Sequence, residues 1–306
     1  MMDVKLFVII VTYKGKQWFD RCFASLREST IPVQTIVVDN ASNDGSVEYI
    51  KEHFPEIHLI ESKVNLGFGN GNNLALKYAY EHGCDYVFLM NQDTWLDDVS
   101  TLEKLVEVAR KHPEFAIISP MHMAPDHQSV GMMMECGGNK YTMQIVSDLY
   151  CGIKKEIYET NYVNATAWLL TRKTLSALGG FDPLFFHYGE DDDYLNRARF
   201  HGLKIGVCLD ARIVHDHKPE EFVEISRVLS QKAANDNLGP FLDLNQPFNY
   251  HRLRSHYLWK YIRGVVFRDV KLRHYAMYRF KYLKRMRSAI EFSRSMNAIK
   301  QPNWIQ

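Results

Sequence analysis

Residues 5–40 read KLFVIIVTYKGKQWFDRCFASLRESTIPVQTIVVDN. The opening run, KLFVIIVTY (5–13), is dense in β-branched and aromatic residues with no polar alternation, as in a strand buried on both faces. Trp18, Phe19, Cys22, Phe23 and Leu26 then fall on overlapping faces of a helix near 16–29. QTIVVDN (34–40) is a second buried run that closes on polar residues. Strand, helix and strand over this length predict a βαβ unit with parallel strands and a right-handed crossover.

The same alternation continues outward. A short helix is expected over 43–53, a strand over HLI (58–60), a helix over 68–81 and a strand over YVFLM (86–90), which closes on NQDT (91–94). Asp97 or Asp98 can cap a helix over about 99–111, where Leu102, Leu105, Val106 and Ala109 form one stripe, and FAIIS (115–119) is a fifth strand. The fold class is therefore α/β, a mostly parallel central sheet flanked by helices. Thr12, Asp39 and Asp93 each stand just beyond a strand, where open α/β sheets bind ligands.

After residue 120 the pattern changes. A Met-rich, Gly-containing stretch leads to YTMQIVS (141–147), which suggests a hairpin or an added sheet segment. VNATAWLLT (163–171) reads as a strand with Asn164 and Thr166 on one face and Ala165 and Ala167 on the other. Arg172–Leu178 reads as a short helix closed by Gly179-Gly180, 191–201 as a helix closed by Gly202, and KIGVCL (204–209) as a strand. A hinge at 216–222 would divide a catalytic domain, 1–217, from a helical extension, 218–306.

Composition narrows the class. The 306 residues are 46% hydrophobic and 24% charged, enough for a packed core. Five cysteines lie far apart without a CxxC pair, which argues against a disulfide framework or thiolate zinc site and fits a reducing compartment. No leader-like segment and no apolar run near the ~18 residues of a membrane span is present, so a cytoplasmic protein is expected. The net charge of +1 conceals a division: residues 251–306 hold 14 of the 37 Lys/Arg but only 2 of the 36 Asp/Glu. Such a break asks for a partner on the basic side and a cation on the acidic side.

Five constellations carry chemistry. In VVDNASNDGS (37–46), Asp39 can accept hydrogen bonds from a nucleobase or ribose, although a well-made turn would also explain the string. In NLGFGNGNNLAL (65–76), Gly67, Gly69 and Gly71 permit close backbone approach and Asn65, Asn72 and Asn73 offer donors. That loop is neither a dinucleotide fingerprint nor a P-loop. FLMNQDT (88–94) delivers Asn91 and Asp93 to one side of a strand, suited to a hard cation that bridges to phosphates. GEDDDYLNRARFHG (189–202) starts a helix with four acids, more than a helix dipole needs, and crowding raises some of their pKa values, which suits a general base or a metal site. IVHDH (213–217) offers histidines for metal or phosphate.

Together with VTYK at the first strand and FDPLFFHYG (181–189), these pieces resemble glycosyltransferase family 2, the inverting class with the GT-A fold, and especially its bacterial rhamnosyltransferase-like branch. They occur in the family's order across about residues 5–217. The resemblance implies that Thr12, Tyr13 and Asp39 contact the nucleotide, with Asn65, Gly67, Asn72, Asn91, Gln92 and Asp93 beside the donor. It places Asp93 and His215 on a divalent cation, magnesium or manganese. Asp191 becomes the base, with Glu190 beside it. Trp168, Phe186, Tyr188, Asp193 and Arg197 would line the acceptor side. Lys14 stands where the family usually has Asn, and Asn91 replaces the first carboxylate of the DxD motif.

The implied activity is inverting transfer of a sugar such as rhamnose from a dTDP- or UDP-sugar to a cell-surface glycan or lipid-linked saccharide. A nucleotidyltransferase would want a basic pyrophosphate loop, where VTYKGK offers only Lys14 and Lys16. A non-enzymatic peripheral membrane scaffold would suit the Asn91 departure but not the retained carboxylates. In the basic tail, aromatic and aliphatic residues interleave with Lys/Arg at helical spacing, which fits an anionic membrane surface at the inner face of the cytoplasmic membrane or packing on the acidic half. No nucleic-acid motif accompanies the charge, so that partner is not expected; an oligomer is compatible.

Overall fold

A computed structural model describes residues 4–130, 140–216 and 238–305. The chain divides into two compact units, Met1–His217 with Lys300–Gln306, and Lys218–Ile299. Residue 217 and the rest of the 216–222 hinge, Cys136, and residues 131–139 of the Met-rich stretch lie outside the described residues.

In the first unit, strands β1 (Leu6–Thr12), β2 (Val33–Asp39), β3 (His58–Glu61) and β4 (Tyr86–Met90) run parallel in the order β3-β2-β1-β4. β1 shows why a continuous apolar run suits a central strand. Leu6, Val8 and Ile10 enter one core layer, Phe7 and Ile9 the opposite one, so both faces are buried. Helices α1 (Phe19–Arg27) and α4 (Thr101–Lys111) cover the first face, through Phe19, Cys22 and Phe23 and through Leu102, Leu105 and Val106. α3 (Gly67–Glu81) covers the second with Ala75, Leu76 and Ala79. A shorter helix, α2 (Ser46–His53), buries Ile50.

The sheet is less parallel than its alternation predicts. β6 (Phe115–Met123) does not join β4; β8 (Ala167–Thr171) enters between them antiparallel to both. β9 (Lys204–His215) then pairs parallel with β6 and antiparallel with β5 (Thr94–Leu96) and β7 (Tyr158–Thr160). The two short strands carry too few residues for a legible period. Because β8 is antiparallel, its first residues reach the carboxyl end of β4, where Asn91 N–H donates to Thr166 O at 2.9 Å. Residues 163–166 precede that strand rather than belonging to it. β9 runs on through IVH, so its end also arrives at this edge.

YTMQIVS forms helix α5 (Lys140–Tyr150), not a sheet segment. Its β-branched residues favour strand locally, but Gln144 Nε2 bonds Asp148 Oδ1 at 2.6 Å across one helical turn, and Ile145 is buried. Helices α6 (Arg172–Leu178) and α7 (Glu190–Phe200) complete the second layer with Leu175, Leu178, Tyr194, Leu195 and Ala198.

Among its described residues the second unit holds a helical turn (Gly239–Leu242) and two helices, Tyr250–Val266 and Val270–Asn297. Asn249 and Asp269 cap them by accepting from Arg252 N and Leu272 N, each at 2.9 Å. Buried Arg279 lies over the rings of Phe241, Tyr257 and Tyr282, and Arg294 donates to the carbonyls of Phe241, Asp243 and Gln246. The last residues correct the expected boundary at their end. Lys300–Gln306 returns to the first unit, where Gly180 N–H donates to Asn303 O at 2.8 Å and Ile305 joins the core with Leu175. Seven residues following a long helix carry no period that would have revealed this.

Candidate active site

At the carboxyl edge of the parallel strands, Thr12 stands opposite Asp39. Asp39 is 2% exposed; its Oδ2 accepts from Ser42 N at 2.9 Å, while Oδ1 is buried with no hydrogen-bond partner. A buried carboxylate oxygen left unpaired is costly, so this atom fits a ligand N–H or O–H. Thr12, by contrast, is fully buried and its hydroxyl donates to Gln92 Oε1 at 2.6 Å. Gln92 also accepts from Tyr13 N–H at 3.0 Å. Thr12 and Gln92 therefore latch the ends of β1 and β4 together; Thr12, expected to contact the nucleotide, is interior, while Gln92 stays partly open. Tyr13 leaves this latch 44% exposed.

The glycine-rich turn is held by Asn40, a residue the sequence marked only as turn-forming. Its Nδ2 donates to Gly67 O at 3.1 Å and its Oδ1 accepts from Leu66 N. The glycines are small for the protein's sake. At Gly67, φ is +77° and a Cβ would overlap the Phe186 carbonyl oxygen; at Gly69 it would lie 3.1 Å from Phe181 Cβ, and at Gly71 2.9 Å from Val11. Asn73 grips Phe181 through both amide atoms, at 2.8 and 2.7 Å. Asn72 is 2% exposed and donates to Phe68 O in its own helix, so it does not face a ligand. Asn65 remains exposed, its Oδ1 accepting from Gly67 N at 2.8 Å.

β5 and β9 bring Asp93 and His215 together: Oδ2 and Nε2 are 3.3 Å apart, both partly open to solvent. Asp216 N–H donates to Asp93 O, and Trp18 Nε1 donates to Asp216 Oδ2 at 3.1 Å, which fixes this corner. His122 lies behind, its ring 6.4 Å from that of His215 and perpendicular to it. Burial pushes the His122 pKa down to about 3, so it stands neutral there. The sequence marked Trp18 only as part of a helix face, and His122 carried no signal there. Asn91, partly buried, adjoins through its backbone bond to Thr166. Among the described residues no three His, Cys, Asp or Glu side chains cluster as a metal cage. One carboxylate and one imidazole nonetheless fit a divalent cation whose remaining ligands come from phosphates.

The four acids of α7 have separate fates. Gly189, at φ +93°, turns the chain into the helix. Glu190 is 5% exposed; burial, then the charges of Asp191 and Asp192, push its pKa up to about 7, and Oε2 is buried without a hydrogen-bond partner. Asp191 is raised by burial too; its Oδ1 accepts from Asp192 N at 2.9 Å and its Oδ2 takes a long bond of 3.5 Å from Tyr162 O–H. Asp192 is exposed.

Three residues expected on the acceptor side are interior instead. Asp193 pairs with Arg197 at 2.8 Å, both at most 2% exposed, and Arg197 also donates to the carbonyls of Leu178 and Gly180, each at 2.7 Å. Trp168 is fully buried, stacked on Phe181. Phe186 and Tyr188, 62% and 46% exposed, remain open to an acceptor.

Residues 7–135 match the family model described as glycosyl transferase family 2. The chain is 26% identical over 241 residues to an N-acetylglucosaminyl-diphospho-decaprenol L-rhamnosyltransferase of Mycobacterium tuberculosis, covering 71% of this chain and 77% of that one. It is 26% identical over 234 residues to the galactofuranosyltransferase GlfT1 of the same species, covering 73% and 74%. Among solved structures, S. aureus TarS 1–349 in complex with UDP aligns at a TM-score of 0.52 and 17% identity, over 96% of this chain and 88% of that one. Of a longer TarS chain, the alignment spans 40%. The shared architecture is GT-A-like, a central mixed sheet flanked by helices. The likeness to glycosyltransferase family 2 thus lies in residues 7–135, and the relatives that align over most of this chain are a rhamnosyltransferase and a galactofuranosyltransferase.

Proposed function

We propose that this chain transfers a hexose, rhamnose foremost, from a dTDP- or UDP-sugar to a glycan or lipid-linked saccharide with inversion at the anomeric carbon. The observation that carries the chemistry is the Glu190–Asp191 pair, held above the usual carboxylate range beside the glycine-rich turn. Asp191 takes the proton of the acceptor hydroxyl as that oxygen bonds to the anomeric carbon, and the bond from that carbon to the diphosphate oxygen breaks on the opposite face. One carboxylate acting once inverts the centre. Burial raises the basicity of Asp191, which suits a general base. Glu190, pushed toward its protonated form by burial, relieves the repulsion its neighbour would otherwise feel. Asp39 Oδ1 receives a donor from the base or ribose, and Tyr13 and Asn65 border the nucleotide. Phe186 and Tyr188 offer aromatic faces to the acceptor.

Asp93 and His215 would hold magnesium or manganese. The cation, when bound, supplies positive charge against the diphosphate. The rhamnosyltransferase relative is named for a decaprenol-linked acceptor, which supports a lipid-borne acceptor here. The test is donor hydrolysis and transfer across a panel of dTDP- and UDP-sugars, with chelator and with manganese. Turnover of one sugar, lost in Asp191→Asn and in chelator, is expected. Full activity in excess chelator would remove the cation, and an unimpaired Asp191→Asn would remove the base.

A further inference from the structure

The helical hairpin of the second unit ends in an exposed apolar tip. Trp259, Ile262, Val265 and Val266 recur along one helix, Phe267 ends it, and Val270 opens the next; all six are 48–70% exposed. The tip is built rather than frayed. Gly264 lets the second helix pass close, since a Cβ there would lie 2.7 Å from Arg273 Cγ, and Asp269 caps that helix. Lys260, Arg263, Arg268, Lys271 and Arg273 interleave with the apolar residues along the chain, and Arg263 lies over the rings of Trp259 and Phe267 at 4.8 and 6.0 Å. Asp269, committed to its cap, is the one acid of this turn.

A protein surface that exposes contiguous large apolar groups marks a docking site. Its chemistry here is an apolar wedge framed by cations with long aliphatic stems. A second copy of the chain would set two such basic faces against each other. A nucleic acid would satisfy the charges and leave the aliphatic wedge in water. We propose that the tip inserts into the interfacial layer of an anionic phospholipid bilayer, with Trp259 and Phe267 at the level of the headgroups and the basic residues on their phosphates. This deepens the reading of a lipid-borne acceptor.

The experiment uses the full chain with vesicles of phosphatidylcholine alone or mixed with phosphatidylglycerol, and no donor or acceptor, so it stands apart from any failure of transfer. Sedimentation with the anionic vesicles, weakened by salt, is expected, together with a blue shift in tryptophan emission that disappears in Trp259→Phe. Val266→Ser with Phe267→Ser should lower partitioning at least about tenfold, and Lys271→Glu about tenfold or more, since each charge near the surface counts for about fivefold and reversal counts twice. Unchanged circular dichroism and an unchanged thermal midpoint would show both variants intact. No binding to anionic vesicles at low salt overturns the proposal. So does binding that responds to Lys271→Glu but not to the serine variant, or an apolar tip whose loss changes only the oligomeric state. Retention on single-stranded DNA in preference to vesicles overturns it in favour of nucleic acid.

Discussion

Asp193→Asn and Asp191→Asn, two residues apart, should fail in opposite ways. Asp193 and Arg197 are at most 2% exposed, and Arg197 spends its other donors on the carbonyls of Leu178 and Gly180. Removing one partner of such a pair costs about 3–5 kcal/mol, because the remaining charge stays buried. Asparagine keeps the shape and one acceptor for Arg197 Nε, so the lower end, about 3 kcal/mol, is expected. For a unit of this size that lowers the thermal midpoint by about 6–12 °C. Asp191 has no cationic partner and is held above its ordinary pKa, so Asp191→Asn should leave the midpoint unchanged or raise it. Its single-turnover transfer, with donor and acceptor saturating, should fall at least ~100-fold. Scanning calorimetry and rapid-quench transfer on both variants separate the two effects. A wild-type midpoint for Asp193→Asn together with a collapse of its transfer rate would refute the assignment of that pair to the interior framework.

Three further outcomes follow from the geometry. Glu190 binds its proton more tightly folded, at about 7, than at its ordinary 4.5, so stability should fall as pH rises through that window and stay lower above it. Glu190→Gln should flatten the profile and gain about 3 kcal/mol at pH 8, read from urea midpoints against pH. Asp39→Ala should weaken nucleoside diphosphate binding by roughly 1–3 kcal/mol in calorimetry, with the fold intact. Ile305→Ala should cost about 2–5 kcal/mol in denaturation, because a residue 1% exposed leaves a cavity beside Leu175.

By itself the sequence determined the parallel half of the sheet, because a strand buried on both faces reads as a continuous apolar run, as β1, β4 and the Ile36–Val38 stretch of β2 do. It also determined the strand-end positions of Asp39 and Asp93 and the acidic start of α7, since these are local consequences of chain direction and period. Only the tertiary structure decided which of those residues face a ligand. Thr12, Asn72, Trp168, Asp193 and Arg197 carry the same letters whether they touch substrate or protein, and their partners, Gln92, the Phe68 carbonyl, Phe181 and the carbonyls of Leu178 and Gly180, come from packing. The antiparallel entry of β8 and the return of Ile305 to the first core likewise depend on pairings between distant segments, which no local period encodes. Burial, fixed by those long-range contacts, separates four adjacent carboxylates into a pair with raised basicity, an exposed charge and a framework ion pair.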